Sequence, residues 1–183
     1  AYEKVENLFW LDMEMSGLDV NKEVIIEVAC IVTDMSFREL DCFETVVKQP
    51  QAYLDNMDAW NTEHHKKSGL TAKVPTGMEP DMVEAKLIDM IDRNFPLSKT
   101  ELKKRPILAC NSIMQDRIFI DKYFKNLSAR LHYRMVDVSS FKVVMTNKFE
   151  IEYKKRNSHR ALDDIRESIG ELRFYLDHIQ TKK

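Results

Sequence analysis

The run Val24-Ile25-Ile26-Glu27-Val28-Ala29-Cys30-Ile31-Val32 constrains this chain more than any other segment. Residues 24–34 are rich in Val and Ile and read as a deeply buried strand. The run is interrupted by Glu27 and is far short of the ~20 residues that a membrane helix needs, so no membrane span is expected. A strand of this kind needs neighbours. Residues 8–15 alternate loosely and end at Ser16-Gly17, which reads as a strand and turn. Residues 43–47 read as a third strand, and three closely spaced strands suggest an antiparallel meander.

The remainder alternates differently. Residues 81–94 carry Met82, Val83, Leu87, Met90 and Ile91 at helical spacing. Residues 106–110 read as a short strand, 116–124 as a helix, and 135–138 as another short strand. Helix resumes near Ser139. The last helix, 160–179, carries Ile165, Ile169, Leu172 and Leu176. Residues 62–80 form a polar connection with a short helix of its own. The expected fold class is α/β: a mixed central sheet with an antiparallel meander, flanked by helices.

Length and charge narrow the function. A chain of 183 residues is room for one domain, with a core of about 7–179. Twenty-eight Lys and Arg against 30 Asp and Glu give a net charge of -2, which excludes a histone-like cationic coat but not a locally bound nucleic acid. Cys30, Cys42 and Cys110 form no C-x-x-C pair, and Cys30 and Cys110 lie in apolar runs. They read as reduced thiols in a reducing compartment. The sequence starts Ala1-Tyr2-Glu3-Lys4, without an initiator Met or a hydrophobic signal region, as expected of a trimmed precursor. The ten methionines read as core filling.

Four acids sit in awkward places. Asp12 and Glu14 interrupt an apolar strand, and alternation projects both from one face. Two adjacent carboxylates repel, and a divalent cation makes the pair tolerable. Alone, Asp-x-Glu also fits a solvent-facing strand edge. On a helix, Asp116 shares a face with Phe119, Ile120 and Tyr123 and turns toward the core, while Arg117 and Asp121 form an ordinary exposed pair. Capping the helix start is the alternative for Asp116. In the last helix, Asp164 lies on a ridge with the small Ala161 and Ser168. Asp163 falls about 200° from Ile165 and should face water. His159, five residues before Asp164, is a candidate general base because imidazole titrates near neutrality. Three separated segments each set an acid against an apolar face. One site holding two Mg²⁺ or Mn²⁺ ions explains them together.

With these positions in hand, the sequence resembles the DEDD exonuclease superfamily, and within it the oligoribonucleases. Trp10-Leu11-Asp12-Met13-Glu14-Met15-Ser16-Gly17-Leu18-Asp19 resembles the first exonuclease motif. Cys110-Asn111-Ser112-Ile113-Met114-Gln115-Asp116 resembles the second, and Ser158-His159-Arg160-Ala161-Leu162-Asp163-Asp164-Ile165 the third. The His-x-x-x-x-Asp spacing is that of the histidine subclass. Glu63-His64-His65-Lys66-Lys67-Ser68-Gly69-Leu70 and His132-Tyr133-Arg134-Met135-Val136-Asp137-Val138-Ser139 are similar to segments specific to the group.

The resemblance implies an RNase H-like fold and 3′→5′ hydrolysis of short single-stranded RNA, 2–5 nucleotides long, to 5′-nucleoside monophosphates. It implies Asp12, Glu14, Asp116 and Asp164 as ligands of two divalent cations and His159 as the base. Leu18 matches a wedge residue and Trp60 a base-stacking residue, with core packing the alternative for Trp60. Ser112, Arg134 and Ser139 match residues that hold the substrate's 5′ phosphate, with Ser140 beside them. An ordinary surface or salt-bridging arginine is the alternative for Arg134. The family is homodimeric, and a tyrosine matching Tyr133 reaches the partner's active site, with His132 beside it. An intracellular location follows, in cytoplasm, mitochondrion or nucleus. One segment departs from the pattern: residues 141–149 read Phe-Lys-Val-Val-Met-Thr-Asn-Lys-Phe, where relatives carry Lys-Glu-Leu and an Arg-Arg-Trp stretch.

The rival readings are a proofreading-type DNA exonuclease and an RNA-binding domain that has lost its chemistry. The Leu102–Lys104 run with Arg105, and Lys154-Lys155-Arg156, read as solvated charge. His64 and His65 lack metal-ligand spacing with the cysteines, so no zinc site is expected.

Overall fold

The computed structural model describes residues 4–156 and 160–179. Five strands form one sheet: β1 (Asn7–Met15), β2 (Ile25–Asp34), β3 (Glu39–Val46), β4 (Leu108–Cys110) and β5 (Met135–Asp137), in the order β3-β2-β1-β4-β5. β1–β2 and β2–β3 pair antiparallel, whereas β1–β4 and β4–β5 pair parallel. The expected meander is present. β3 begins earlier than the sequence pattern suggests, because Glu39 and Leu40 on this edge strand are both exposed and show no alternation of buried and exposed positions.

Every residue of β2 before Asp34 is buried. This follows from coverage on both faces. Asp12 stands opposite Ala29 and Glu14 opposite Glu27, and directly opposed residues share a face. The last helix, α8 below, packs on β1 and β2. On the other face Cys30 Sγ lies 3.0 Å from Met90 Sδ, and Phe9 meets Phe95 edge-on.

The helices are α1 (Gln51–Asp55), α2 (Ala59–Lys67), α3 (Leu70–Lys73), α4 (Pro80–Asn94), α5 (Ile113–Tyr123), α6 (Lys125–Ser128), α7 (Val138–Phe149) and α8 (Ala161–Asp177). α4 and α8 match the 3.6-residue periodicity, and their buried faces are Val83, Leu87, Met90 and Ile91 on one and Ile165, Ile169, Leu172 and Tyr175 on the other. The polar connection is more helical than its sequence suggests. α2 buries only Asn61 and His65, so it has no apolar stripe to read. α1 and α3 close a small satellite core of Val24, Ile26, Leu54, Met57, Leu70 and Val74. Cys30 and Cys110 are buried and free, as expected. Core filling describes only part of the methionine set: Met35, Met82 and Met114 are exposed.

Candidate active site

Asp12, Glu14 and Asp164 converge. Each offers a carboxylate oxygen, and these oxygens lie within 4.8 Å of one another. Strand alternation brings the first two together, and α8 crossing the same face supplies the third. Asp163, one residue earlier, is exposed, as the helix geometry requires. Three carboxylate oxygens at this spacing are the donor set that Mg²⁺ or Mn²⁺ prefers, so the residues fit a divalent cation.

Asp116 stands outside that trio. It is 4% exposed in the first turn of α5, and its Oδ1 accepts a hydrogen bond from the Met13 N–H at 3.0 Å. It does not occupy the capping position, which belongs to Ser112. Asp116 therefore ties α5 to β1 between the two strand acids. His159 lies outside the described residues.

Crowding shows in the electrostatics of these carboxylates. Burial, ahead of repulsion from Asp116, Asp164 and Glu27, holds the Asp12 carboxyl well above the usual range. Burial, ahead of Asp12 and Asp164, pushes Glu14 up to about 8. Asp116 is raised mainly by burial, against the Met13 hydrogen bond. Such sites release protons when a cation binds.

Two buried glutamates hold the motif segments, Glu27 the third through Arg160 and Glu171 the second through Asn111, and sequence reasoning assigned neither a role. Glu27 pairs with Arg160 at 2.8 Å, and Glu171 with Lys155 at 3.2 Å. Glu171 also accepts from Asn111 Nδ2 at 3.2 Å and from the Tyr175 hydroxyl at 2.8 Å. Lys155 is thus no solvated bystander. Its charge is anchored by a buried acid and acts to lower the Asp12 carboxyl. The available sequence signal was an acid at an inward register, Glu27 within the apolar run.

Leu18 is 74% exposed and Trp60 65% exposed, so Trp60 is not core packing. Trp60 stacks on His64 at 4.4 Å between centroids. His65, its neighbour, is buried instead, with Nε2 2.9 Å from the Met15 carbonyl, and burial lowers its pKa. Ser112 and Ser139 are brought together by Asp137: one of its oxygens accepts from the Ser112 N–H at 2.9 Å, the Ser139 N–H at 2.9 Å and the Ser139 hydroxyl at 2.6 Å. Ser112 holds a left-handed φ of 50°, a conformation uncommon outside glycine. Sequence reasoning gave Asp137 no role.

Tyr133 is 76% exposed, stacked on His132 and under the Arg134 guanidinium, whose carbon lies 5.5 Å from the ring centroid. Arg117 forms the expected pair with Asp121 at 2.9 Å but is largely covered, and it also donates to the His132 carbonyl at 3.2 Å. That bond fixes α5 against the segment carrying Tyr133.

Residues 9–172 match the family model described as Exonuclease (RNase_T). The chain belongs to that family. It is 40% identical to the mitochondrial oligoribonucleases of Bos taurus and Homo sapiens, over 97% of this chain and 75% of each relative. It is 40% identical to the oligoribonuclease of Pseudomonas aeruginosa strain PAO1, over 94% of this chain and 96% of that one. Among solved structures it is similar to exonuclease I from Methylocaldum szegediense, with a TM-score of 0.68, 16% identity, and coverage of 95% of this chain and 41% of that one. E. coli exonuclease I in complex with a 5cy-dT13 oligonucleotide gives a TM-score of 0.69 at 11% identity, over 96% and 41%. The chain spans about two-fifths of those exonuclease I chains. Likeness at such identity concerns the fold, which is the RNase H-like arrangement the motifs imply. Among the described residues, no helix is long and apolar enough to cross a membrane.

Proposed function

We propose that this exonuclease-family chain is a metal-dependent 3′→5′ exoribonuclease that hydrolyses short oligoribonucleotides, down to dinucleotides, to 5′-nucleoside monophosphates. The convergence of Asp12, Glu14 and Asp164 carries the reading. The oligoribonuclease names of the relatives support its substrate class.

Asp12, Glu14 and Asp164, with the second oxygen of Asp116, would hold two Mg²⁺ or Mn²⁺ ions. Such ions activate a water and stabilise the leaving oxygen of a phosphodiester. The three carboxylates are half-buried and carried on a strand and a long helix, so their orientation is set by rigid elements before substrate arrives. His159 serves as the base that takes the proton of the attacking water, a role resting on its motif. Trp60 offers a face for a base of any sequence, worth ~1–3 kcal/mol, and Leu18 separates the two bases. Ser112, Ser139 and Arg134 hold the 5′ phosphate, Arg134 through its planar fork of donors. A chain capped at its 5′ end leaves no path for longer RNA, which agrees with a net charge of -2 rather than a long basic groove.

Tyr133 acts on the site of a second copy of this chain. Its exposure supports that role. Sedimentation at micromolar concentration should show a dimer, and a strict monomer refutes action in trans. An intracellular site of action, mitochondrial or cytoplasmic, belongs to this reading, and the mitochondrial names of the bovine and human relatives support the first.

The deciding experiment compares a 5′-labelled dinucleotide with a ~20-mer RNA in Mn²⁺, with an EDTA control. Fast, EDTA-sensitive cleavage of the dinucleotide is expected. Preference for the long RNA removes the capped-end account. Preference for a DNA dinucleotide run alongside points to a proofreading enzyme, and binding without cleavage to a non-catalytic domain.

A further inference from the structure

Glu27 is 1% exposed and stands directly across the strand pair from Glu14. An ionised acid there adds like charge to a site already crowded with it, and removing it from water is costly unless it is paired. Among the described residues, the fold pairs it with one cation. Arg160 Nε and Nη2 both donate to Glu27 Oε1, at 3.0 and 2.8 Å. The other oxygen, Oε2, faces the Ala161 N–H at 3.4 Å. Both oxygens of Glu27 are thus turned to α8 rather than to the acidic trio, which does not include it.

The residue so gripped begins the turn that matters. Arg160 is the N-cap position of α8, and its carbonyl accepts from the Asp164 N–H at 2.9 Å. A short connected route therefore runs from Glu14, across the strand pair to Glu27, through Arg160, to Asp164. Its two ends are members of the trio. Six-coordinate Mg²⁺ tolerates little error in the placing of its oxygens, so the separation of these ends matters.

We propose that Glu27 is a positioning residue: by holding Arg160, it sets where the Asp164 carboxylate stands relative to Asp12 and Glu14. This rests on reading the trio as a cation site. The competing account is that Arg160 only neutralises a buried charge and keeps the strand folded.

The two accounts separate in a set of three proteins: Arg160→Ala, Glu27→Gln, and the double variant. Each is assayed for metal-free melting temperature, Mn²⁺ dissociation constant by calorimetry, and kcat and KM on a dinucleotide. Arg160→Ala leaves Glu27 charged and unpaired, so melting falls. Adding Glu27→Gln removes that charge, so melting recovers. Positioning predicts that Mn²⁺ binding in the double variant stays about 10–100-fold weak, with kcat reduced to match and KM within about twofold of the parent. Neutralisation predicts that Mn²⁺ affinity and kcat return with the melting temperature, and that result overturns the proposal. So does unchanged Mn²⁺ affinity in Arg160→Ala. Should Arg160→Ala fail to fold, Arg160→Lys keeps the charge and loses the fork: neutralisation then predicts parent-like Mn²⁺ affinity and kcat and overturns the proposal, whereas positioning predicts both weakened. A parent protein that binds no Mn²⁺ at all refutes the cation site itself, an outcome distinct from either result above.

Discussion

Trp10 and Trp60 are the chain's two tryptophans, and they mark two regions built by opposite means. Trp10 is fully buried, with Nε1 donating to the Thr33 hydroxyl at 2.9 Å and its ring edge-on to Phe37. Two residues along the same strand, Asp12 enters the acidic trio. Trp60 stands out on α2 with His64 stacked beneath it, and Leu18 and Tyr133 are as open. The acids are aimed by the core, through strand register, helix crossing and buried ion pairs. The exposed rim is aimed by local stacking and by hydrogen bonds to its backbone, from Arg117 to the His132 carbonyl and from Gln115 to that of Leu18. A centre that must place charge within fractions of an ångström is built on rigid elements. A surface that must accept any base can be left to exposed aromatic faces, because stacking does not depend on which base arrives.

The harshest test of this division removes one acid. Asp164→Ala should lower kcat at least ~10³-fold and abolish tight Mn²⁺ binding, while leaving substrate KM nearly unchanged. A variant that keeps turnover would show that the trio is not the catalytic centre. The tryptophans sharpen the same contrast. Trp10→Ala should lose about 3–5 kcal/mol of stability by denaturant unfolding. Trp60→Ala should leave unfolding within about 0.5 kcal/mol of the parent and raise KM for a dinucleotide at least ~5-fold, with kcat little changed. Equal stability losses in the two would break the comparison.

Acidity offers a subtler probe, because only the buried region responds to it. Glu14 is raised from 4.5 to about 8, and Asp12 and Asp116 are raised as well. A carboxyl with a raised folded-state pKa contributes stability that is complete below its unfolded value. That contribution is lost as pH climbs through the folded value. Asp41, Asp58 and Asp92 are lowered, so theirs is already present above pH ~4 and adds no slope in this window. His65 and His132 are lowered and oppose this trend below pH ~6.5, so between about pH 6.5 and 8 the metal-free protein should lose stability as pH rises, by ~5 °C or more in Tm. Saturating Mn²⁺ should flatten that slope, and a slope insensitive to Mn²⁺ would separate the raised acids from the cation.

The buried region was also the more legible one in the sequence. Alternation in β1 set Asp12 and Glu14 on one face, and the helical stripe of α8 chose Asp164 over Asp163. Local periodicity carries that information because both elements bury one side. It fails where burial is not one-sided. α2 has no apolar stripe, and β3 begins on exposed residues, so their extents were misread. It fails again wherever the partner is distant in sequence. Met13 and Asp116 are 103 residues apart, and Glu27 and Arg160 are 133 apart. Lys155 therefore reads as surface charge in the sequence, although its partner Glu171 is buried.

The choice between neighbouring aspartates supplies the gentlest test. Asp163 and Asp164 are adjacent, chemically identical and both within the first turn of α8. An acid there interacts favourably with the helix dipole wherever it points, by about 0.3–1 kcal/mol at an exposed position. Sequence proximity and helix electrostatics therefore make them equivalent, and only the direction of the side chain divides them. Asp163→Asn should cost no more than ~0.5 kcal/mol in unfolding, with kcat and Mn²⁺ affinity within twofold of the parent. If Asp163→Asn disables the enzyme as Asp164→Ala does, the first turn of α8 acts through its summed charge. If it does not, a difference of 100° around a helix is what separates a metal ligand from a solvated acid.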